Sequence, residues 1–252
     1  MTLTTPRMRS TALLAGALAL AAGAFAPVPA RAQFGKPNED AKIILHVAPT
    51  AGGRPCTSTK ARARCDEMKV NAAIGANYYA FVCVVDGQAN AGIAGVQFGV
   101  KFRKARNQGV DISEWKNCGD LQFPSPPGKT DWYNASNGGN LVTWDPVNNC
   151  QRTEPSGAGT GVTAVVGYFY VGSYNPPDRL EITVRPNDGL AKVAACNSVE
   201  AIVAGPGAPF RSKSYLGFVE FSDGATVAGS NPCGLARPVV ESTWTGVKNS
   251  GR

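Results

Sequence analysis

From Val96 to Arg103 the side chains alternate with period two. Val96, Phe98, Val100 and Phe102 are apolar, and Gln97, Gly99, Lys101 and Arg103 stand between them. That is the pattern of a strand with one face in a core and the other toward water. It recurs where Leu180, Ile182 and Val184 alternate with Glu181, Thr183 and Arg185. No segment sustains the 3.6-residue apolar period of an amphipathic helix. The remaining apolar runs are short: Ala41 to Val47, Val110 to Trp115, Leu121 to Phe123, Leu141 to Trp144, Gly161 to Val171, Leu190 to Ala195 and Tyr215 to Phe221. Tyr78 to Val85 is apolar on both faces, as a central strand is. With 29 Gly and 18 Pro as turn formers, the pattern predicts an all-β chain folded as an antiparallel β-sandwich with long loops. One helical turn is expected, capped by Ser198 and running through Val203. Val96, Phe98, Val100 and Phe102 are expected to share a core with Phe81, Cys83 and Val85.

The N-terminus reads as an address. Arg7 and Arg9 precede an uncharged apolar run, Thr11 to Ala26, which Pro27 and Pro29 end, and Ala30-Arg31-Ala32 supplies the small residues of a cleavage site. The run is 16 residues, short of the roughly 20 that span a bilayer. The expected organisation is a signal peptide at 1–32, a β-sandwich domain at 33–236 and a C-terminal tail at 237–252. The mature protein is then secreted, extracellular or periplasmic, with no membrane contact after cleavage. Removing Arg7, Arg9 and Arg31 lowers the formal charge from +7 to +4, a modest value that argues against nucleic acid as a partner.

Seven cysteines follow the leader: Cys56, Cys65, Cys83, Cys118, Cys150, Cys196 and Cys233. An oxidising compartment pairs them, and no CxxC spacing supports zinc or redox chemistry. Cys83 lies inside the most apolar run and is expected to be the free thiol, a small buried hydrophobe. The alternative is a Cys83 bridge across the sandwich. Chain position then suggests Cys56 with Cys65, Cys118 with Cys150, and Cys196 with Cys233, each closing a local loop.

Val84-Val85-Asp86-Gly87, then Ala91-Gly92-Ile93-Ala94-Gly95 and the alternating strand through Val100, resemble the early strands of cohesin-like sandwiches. Trp115-Lys116-Asn117-Cys118, Phe123-Pro124-Ser125, Thr143-Trp144-Asp145 and Cys150-Gln151 resemble a group of uncharacterised secreted proteins of environmental bacteria. The ending Ser242 to Lys248 is similar to theirs. The resemblance implies a cohesin- or immunoglobulin-like sandwich. Arg103-Lys104-Ala105-Arg106 is basic where cohesins carry an acidic turn.

Catalytic chemistry has few footholds. His46, the one histidine, lies in a strand pattern, and no GxSxG elbow accompanies it. Asp145, Glu181, Glu220 and Asp223 are the carboxylates on or beside strands that a two-carboxylate hydrolase would draw on. No cofactor is implied. Calcium is the one plausible ion, with oxygen-bearing turns at Asp86 to Asn90, Asn175 to Asp178 and Asn187 to Gly189, which Asx-turns explain equally well. Lys60 to Arg64 and Lys101 to Arg106 read as solvated loop charge. Trp132 and Tyr133, in a Gly/Pro/Asn-rich loop, and Trp144 are the candidate binding residues, because aromatic rings stack on sugars or anchor a partner. The alternative is a loop folded back as a satellite core. Together these features predict an exported, non-catalytic binding or structural module that contacts extracellular polysaccharide or a surface protein. The rivals are a secreted carboxylate hydrolase and a subunit of an extracellular assembly docked through its tail.

Overall fold

The computed structural model describes residues 35–50, 55–57, 64–103, 107–125, 138–208, 215–223 and 228–233. The leader at 1–32, Lys60 to Ala63, Lys104 to Arg106, Trp132 and Tyr133, and the tail at 237–252 lie outside them.

Among the described residues, twelve strands form two sheets. The first holds β1 (Lys42–Pro49), β3 (Asn77–Gly87), β8 (Val162–Ser173) and β5 (Val110–Asn117), in that order and antiparallel throughout. The second is built around β4 (Gly95–Lys101). On one side of β4 lies β7 (Gly139–Thr143), with β6 (Leu121–Gln122) beyond it. On the other side β9 (Asp178–Thr183) and β10 (Ala191–Ala194) lie end to end: Thr183 pairs with Gly99, and Lys192 with Gln97. β12 (Phe218–Phe221) flanks β9, β11 (Glu200–Ala204) flanks β10, and β2 (Asn71–Ala72) runs parallel to β12 at the edge. The sheets are joined along both sides. Gly217 donates its N–H to the Ile43 carbonyl at 3.0 Å, and β5 runs through Cys118 and Gly119 directly into β6.

Inward-facing positions fill one core: Ile43, Leu45 and Val47 of β1, Val82 and Val84 of β3, Val96, Phe98 and Val100 of β4, Phe169 of β8, Ile182 of β9 and Phe221 of β12, with Phe102 just past β4. The alternating strand therefore buries the face its sequence predicts. Phe81, Cys83 and Val85 do not join it. They point to the outer side of the four-stranded sheet and form a second cluster with Ile44, Ala48, Cys65, Met68 and Val165. β3 is apolar on both faces, so alternation carries no parity there. Register sets it instead, since Val82 lies opposite Leu45 and Val84 opposite Ile43.

Six cysteines are bridged, and Cys83 is buried and outside the three disulfides. The expected local pairings are overturned. The bonds are Cys56–Cys118, Cys65–Cys233 and Cys150–Cys196. The first two anchor the single 3-10 turns at Pro55–Thr57 and Cys65–Glu67 over the outer cluster. Proximity in the fold, not along the chain, chose these partners.

The expected helical turn after Ser198 is also overturned, because that segment is β11. Ser198 has φ 65, and Asn197 Oδ1 accepts the Val199 N–H at 3.2 Å. The polar residues make a tight turn, not a helix cap, and Ala201 and Val203 then alternate into the core.

Candidate functional site

The outer face of the eight-stranded sheet carries a hollow, and strand register explains it. Leu121 lies opposite Thr143, Thr143 opposite Gly95, Gly95 opposite Ala194, and Ala194 opposite Glu200. This row across five strands has its smallest side chains in the middle. The next row, Leu141, Gln97, Lys192 and Ile202, is tall throughout. The result is a hollow of about 520 Å3 floored by Gly95, Ala194 and Thr143. Leu121, Leu141, Trp144 and Pro146 line one side and Ala195, Ser198 and Glu200 the other.

Toward the centre of the sheet a loop stands over β4. Residues 184–190, between β9 and β10, rise out of the sheet and bend over β4. Gln97 Nε2 holds them, donating to both Asp188 carboxylate oxygens at 2.9 and 2.8 Å and to the Leu190 carbonyl at 3.1 Å. Arg185 crosses Gly139 and donates to the Phe123 carbonyl at 2.8 Å. The loop needs a flat floor: a Cβ at Gly139 would sit 2.7 Å from Arg185 Cγ, and one at Gly99 2.8 Å from Thr183 Oγ1. Gln97, on the polar side of the alternating strand, is consequently only 6 % exposed.

The walls are bonded to each other. Cys150 follows the 145–149 turn, Cys196 begins the β10–β11 turn, and their disulfide ties the two together. Gly92, at φ +65, is packed against both sulfurs.

Carboxylates rim the hollow, and hydrogen bonds already occupy each. Asp145 Oδ1 accepts the N–H groups of Val147 and Asn148 at 2.8 and 2.7 Å. Those bonds, Asn148 first and Val147 next, hold its carboxyl below the usual range. Asp120 accepts the Asp145 N–H at 2.6 Å and Asn149 Nδ2 at 2.9 Å. Glu200 pairs with Lys192 at 3.0 Å. A general acid needs a raised pKa, and Asp145 is shifted the other way.

Of the candidates named from sequence, Trp144 and Asp145 meet at this hollow. Trp144 is 3 % exposed, belongs to the main core cluster and donates its indole N–H to the Cys118 carbonyl at 3.3 Å. Trp132 and Tyr133 lie outside the described residues. The other carboxylates are elsewhere: Glu181 on β9, Glu220 buried and paired with Arg179 Nε at 3.0 Å, and Asp223 exposed beyond β12. His46 sits over the outer cluster, its Nδ1 accepting the Lys69 N–H at 2.9 Å. Burial, then the nearby Lys69 charge, lowers its pKa to about 4. In the three oxygen-bearing turns the aspartates are engaged as well: Asp86 with Lys42, Asp188 with Gln97, and Asp178 with Arg103 at 3.9 Å. Among the described residues no three His, Cys, Asp or Glu side chains converge as metal ligands. No described helix is long and apolar enough to cross a membrane.

Sequence reading missed Gly95, Thr143, Ala194, Asp120 and Glu200 as site residues. The signal it passed over was Gly95 and Gly99 on the polar side of an alternating strand, which marks a flat outer face.

No family model and no curated protein matches the chain. Among solved structures it is similar to a cohesin module of a family 33 glycoside hydrolase from Clostridium perfringens, with 9% identity, 72% of this chain and 97% of that chain covered, and a TM-score of 0.40. It is also similar to a chain of the Coh-OlpA-Doc918 complex, a type I cohesin–dockerin complex from Clostridium thermocellum, with 13% identity, coverage of 72% and 98%, and a TM-score of 0.41. A type II cohesin domain from the cellulosome of Acetivibrio cellulolyticus matches with 10% identity, coverage of 63% and 87%, and a TM-score of 0.34. At these identities the likeness is one of fold.

Proposed function

We propose that the protein is an exported, non-catalytic binding module that holds a surface protein in the hollow over Gly95. The observation that carries this reading is a preformed, partly apolar depression whose two walls a disulfide fixes. Preorganised walls lower the ordering cost of association. The rim carboxylates serve as turn caps and ion-pair partners, which supports recognition over hydrolysis. Three disulfides fit export to an oxidising compartment. Trp144 contributes the wall. Trp132 and Tyr133, outside the described residues, are proposed as further contacts from their residue type alone.

The test is binding to immobilised surface-protein and polysaccharide fractions, comparing the native chain with Gly95→Leu, which fills the floor, and Glu200→Lys, which leaves it open. Retention of a protein fraction that both substitutions weaken is the expected result. Turnover of the bound material, or retention indifferent to both, would overturn the reading. Retention of polysaccharide alone would replace the protein partner with a glycan.

A further inference from the structure

The chain is basic, with a formal charge of +7, yet the hollow is not. Asp120, Asp145 and Glu200 line it, and among the described residues no lysine or arginine does. Asp145, just past β7, and Glu200, on β11 and paired with Lys192 at 3.0 Å, stand on opposite sides of a floor of Gly95 and Ala194. The rest of the lining is mostly apolar: Leu121, Leu141, Trp144 and Pro146. An aliphatic stem that ends in a charge matches both parts, since lysine and arginine bury their methylenes and keep the head beside anions. The floor is narrow. A Cβ at Gly95 would already lie 3.2 Å from that of Ala194 and 3.7 Å from Thr143 Cγ2, so the floor is closely packed and an occupant rests on top of it. A volume of about 520 Å3 suits a few side chains of an extended segment, not a folded surface.

We infer that the hollow receives a lysine or arginine side chain, presented by an extended segment of a protein partner. The inference rests on the binding-module reading and adds the chemistry of the occupant. The cation enters over Gly95 between the Asp120–Asp145 side and Glu200, with its stem against Leu121 and Leu141. Charge complementarity of this kind sets partner choice and encounter rate.

The test uses the full chain and a set of acetylated hexapeptides on one Val/Thr frame, with Lys, Arg, Gln or Glu at a single central position. Binding is read from the amide NMR signals of Gly95, Thr143 and Ala194. Lys and Arg peptides should shift these signals and the Gln and Glu peptides should not. The response should collapse between roughly 0.01 and 1 M salt, over which the Debye length falls from about 30 to 3 Å. Glu200→Gln and Asp145→Asn should each weaken binding by about 2- to 5-fold, while Lys116→Gln on the other sheet leaves it unchanged. Two variants guard against a misfolded one. Equal shifts from the Lys and Gln peptides would overturn the cationic occupant and leave the binding-module reading intact. So would a neutral oligosaccharide that shifts these amides where the Lys peptide does not. No Lys- or Arg-dependent shift at roughly 10 mM peptide, well above a weak millimolar Kd, would overturn it as well.

Discussion

Gly92→Ala measures the fit between the hollow's backbone and the bond that holds its walls. Gly92 sits at φ +65, where an L-residue costs roughly 1–2 kcal/mol. The stiffer unfolded chain of alanine returns about 0.4–1 kcal/mol, which leaves a backbone cost of about 1 kcal/mol. The new Cβ would also lie 2.8 Å from Cys196 Sγ and nearer still to Cys150 Sγ. Forcing a methyl into that space adds about 1–3 kcal/mol, so the substitution should cost about 2–4 kcal/mol in total while the bridge is present. With Cys150→Ala and Cys196→Ala both sulfurs are gone, and the same change should cost only the backbone term of about 1 kcal/mol. The coupling between glycine and bridge is then about 1–3 kcal/mol. The bridge itself, at a separation of 46 residues, contributes about 4 kcal/mol by loop closure, which cancels from the cycle. Urea unfolding of the four proteins, with equal m-values, gives all four stabilities. A coupling below about 0.5 kcal/mol, or peptide mapping that finds Cys150 bonded to Cys118, would refute the reasoning.

Phe98, fully buried with its ring 6.0 Å from that of Trp115, should lose about 3–5 kcal/mol on change to alanine; a urea-measured loss under about 1 kcal/mol would contradict its packing. Burial pushes the Cys83 thiol up to about 12, so an aromatic disulfide reagent at mildly alkaline pH should leave the native chain unlabelled and take one thiol per chain after denaturation without reductant. Rapid native labelling would mean the outer cluster is open. His46, held neutral with a pKa of about 4, contributes stability that is fully present above its unfolded value of about 6.5 and is lost as pH falls through about 4, a loss of about 3 kcal/mol. Unfolding curves of native and His46→Gln chains should differ in slope over that window, and superimposable pH profiles would remove histidine as the cause.

Strand positions were legible because each apolar run ends at a turn former, as at Asp86-Gly87 or Pro124. The inner face of β4 was legible because Val96, Phe98 and Val100 alternate without interruption. β3 was not, since Tyr78 to Val85 offers apolar side chains to both faces and only pairing with β1 selects Val82 over Phe81. Disulfide partners escaped because Cys65 and Cys233 are 168 residues apart and meet only once the outer cluster has formed. β11 was misread because a serine ahead of a mixed apolar stretch suits a helix cap and a hairpin turn alike. The hollow itself is a register property. Gly95, Thr143 and Ala194 are unremarkable where they stand in the chain, and only pairing aligns their small side chains in one row.

The seam between β1 and the C-terminal segment sets an order of events during synthesis. Leu45 gives its carbonyl to Asn231 Nδ2 at 2.9 Å and its N–H to Asn231 Oδ1 at 3.4 Å, across 186 residues of chain. At about 5–20 residues per second, β1 leaves the ribosome roughly 10–40 s before the residue that seals its edge. For that interval Ile43-Ile44-Leu45-His46-Val47, an uncharged run rich in β-branched residues, is an open edge able to template other strands. A holding factor on this segment would shield that edge until residue 231 emerges. Chaperone occupancy on nascent chains should peak over β1 and fall once residue 231 has emerged.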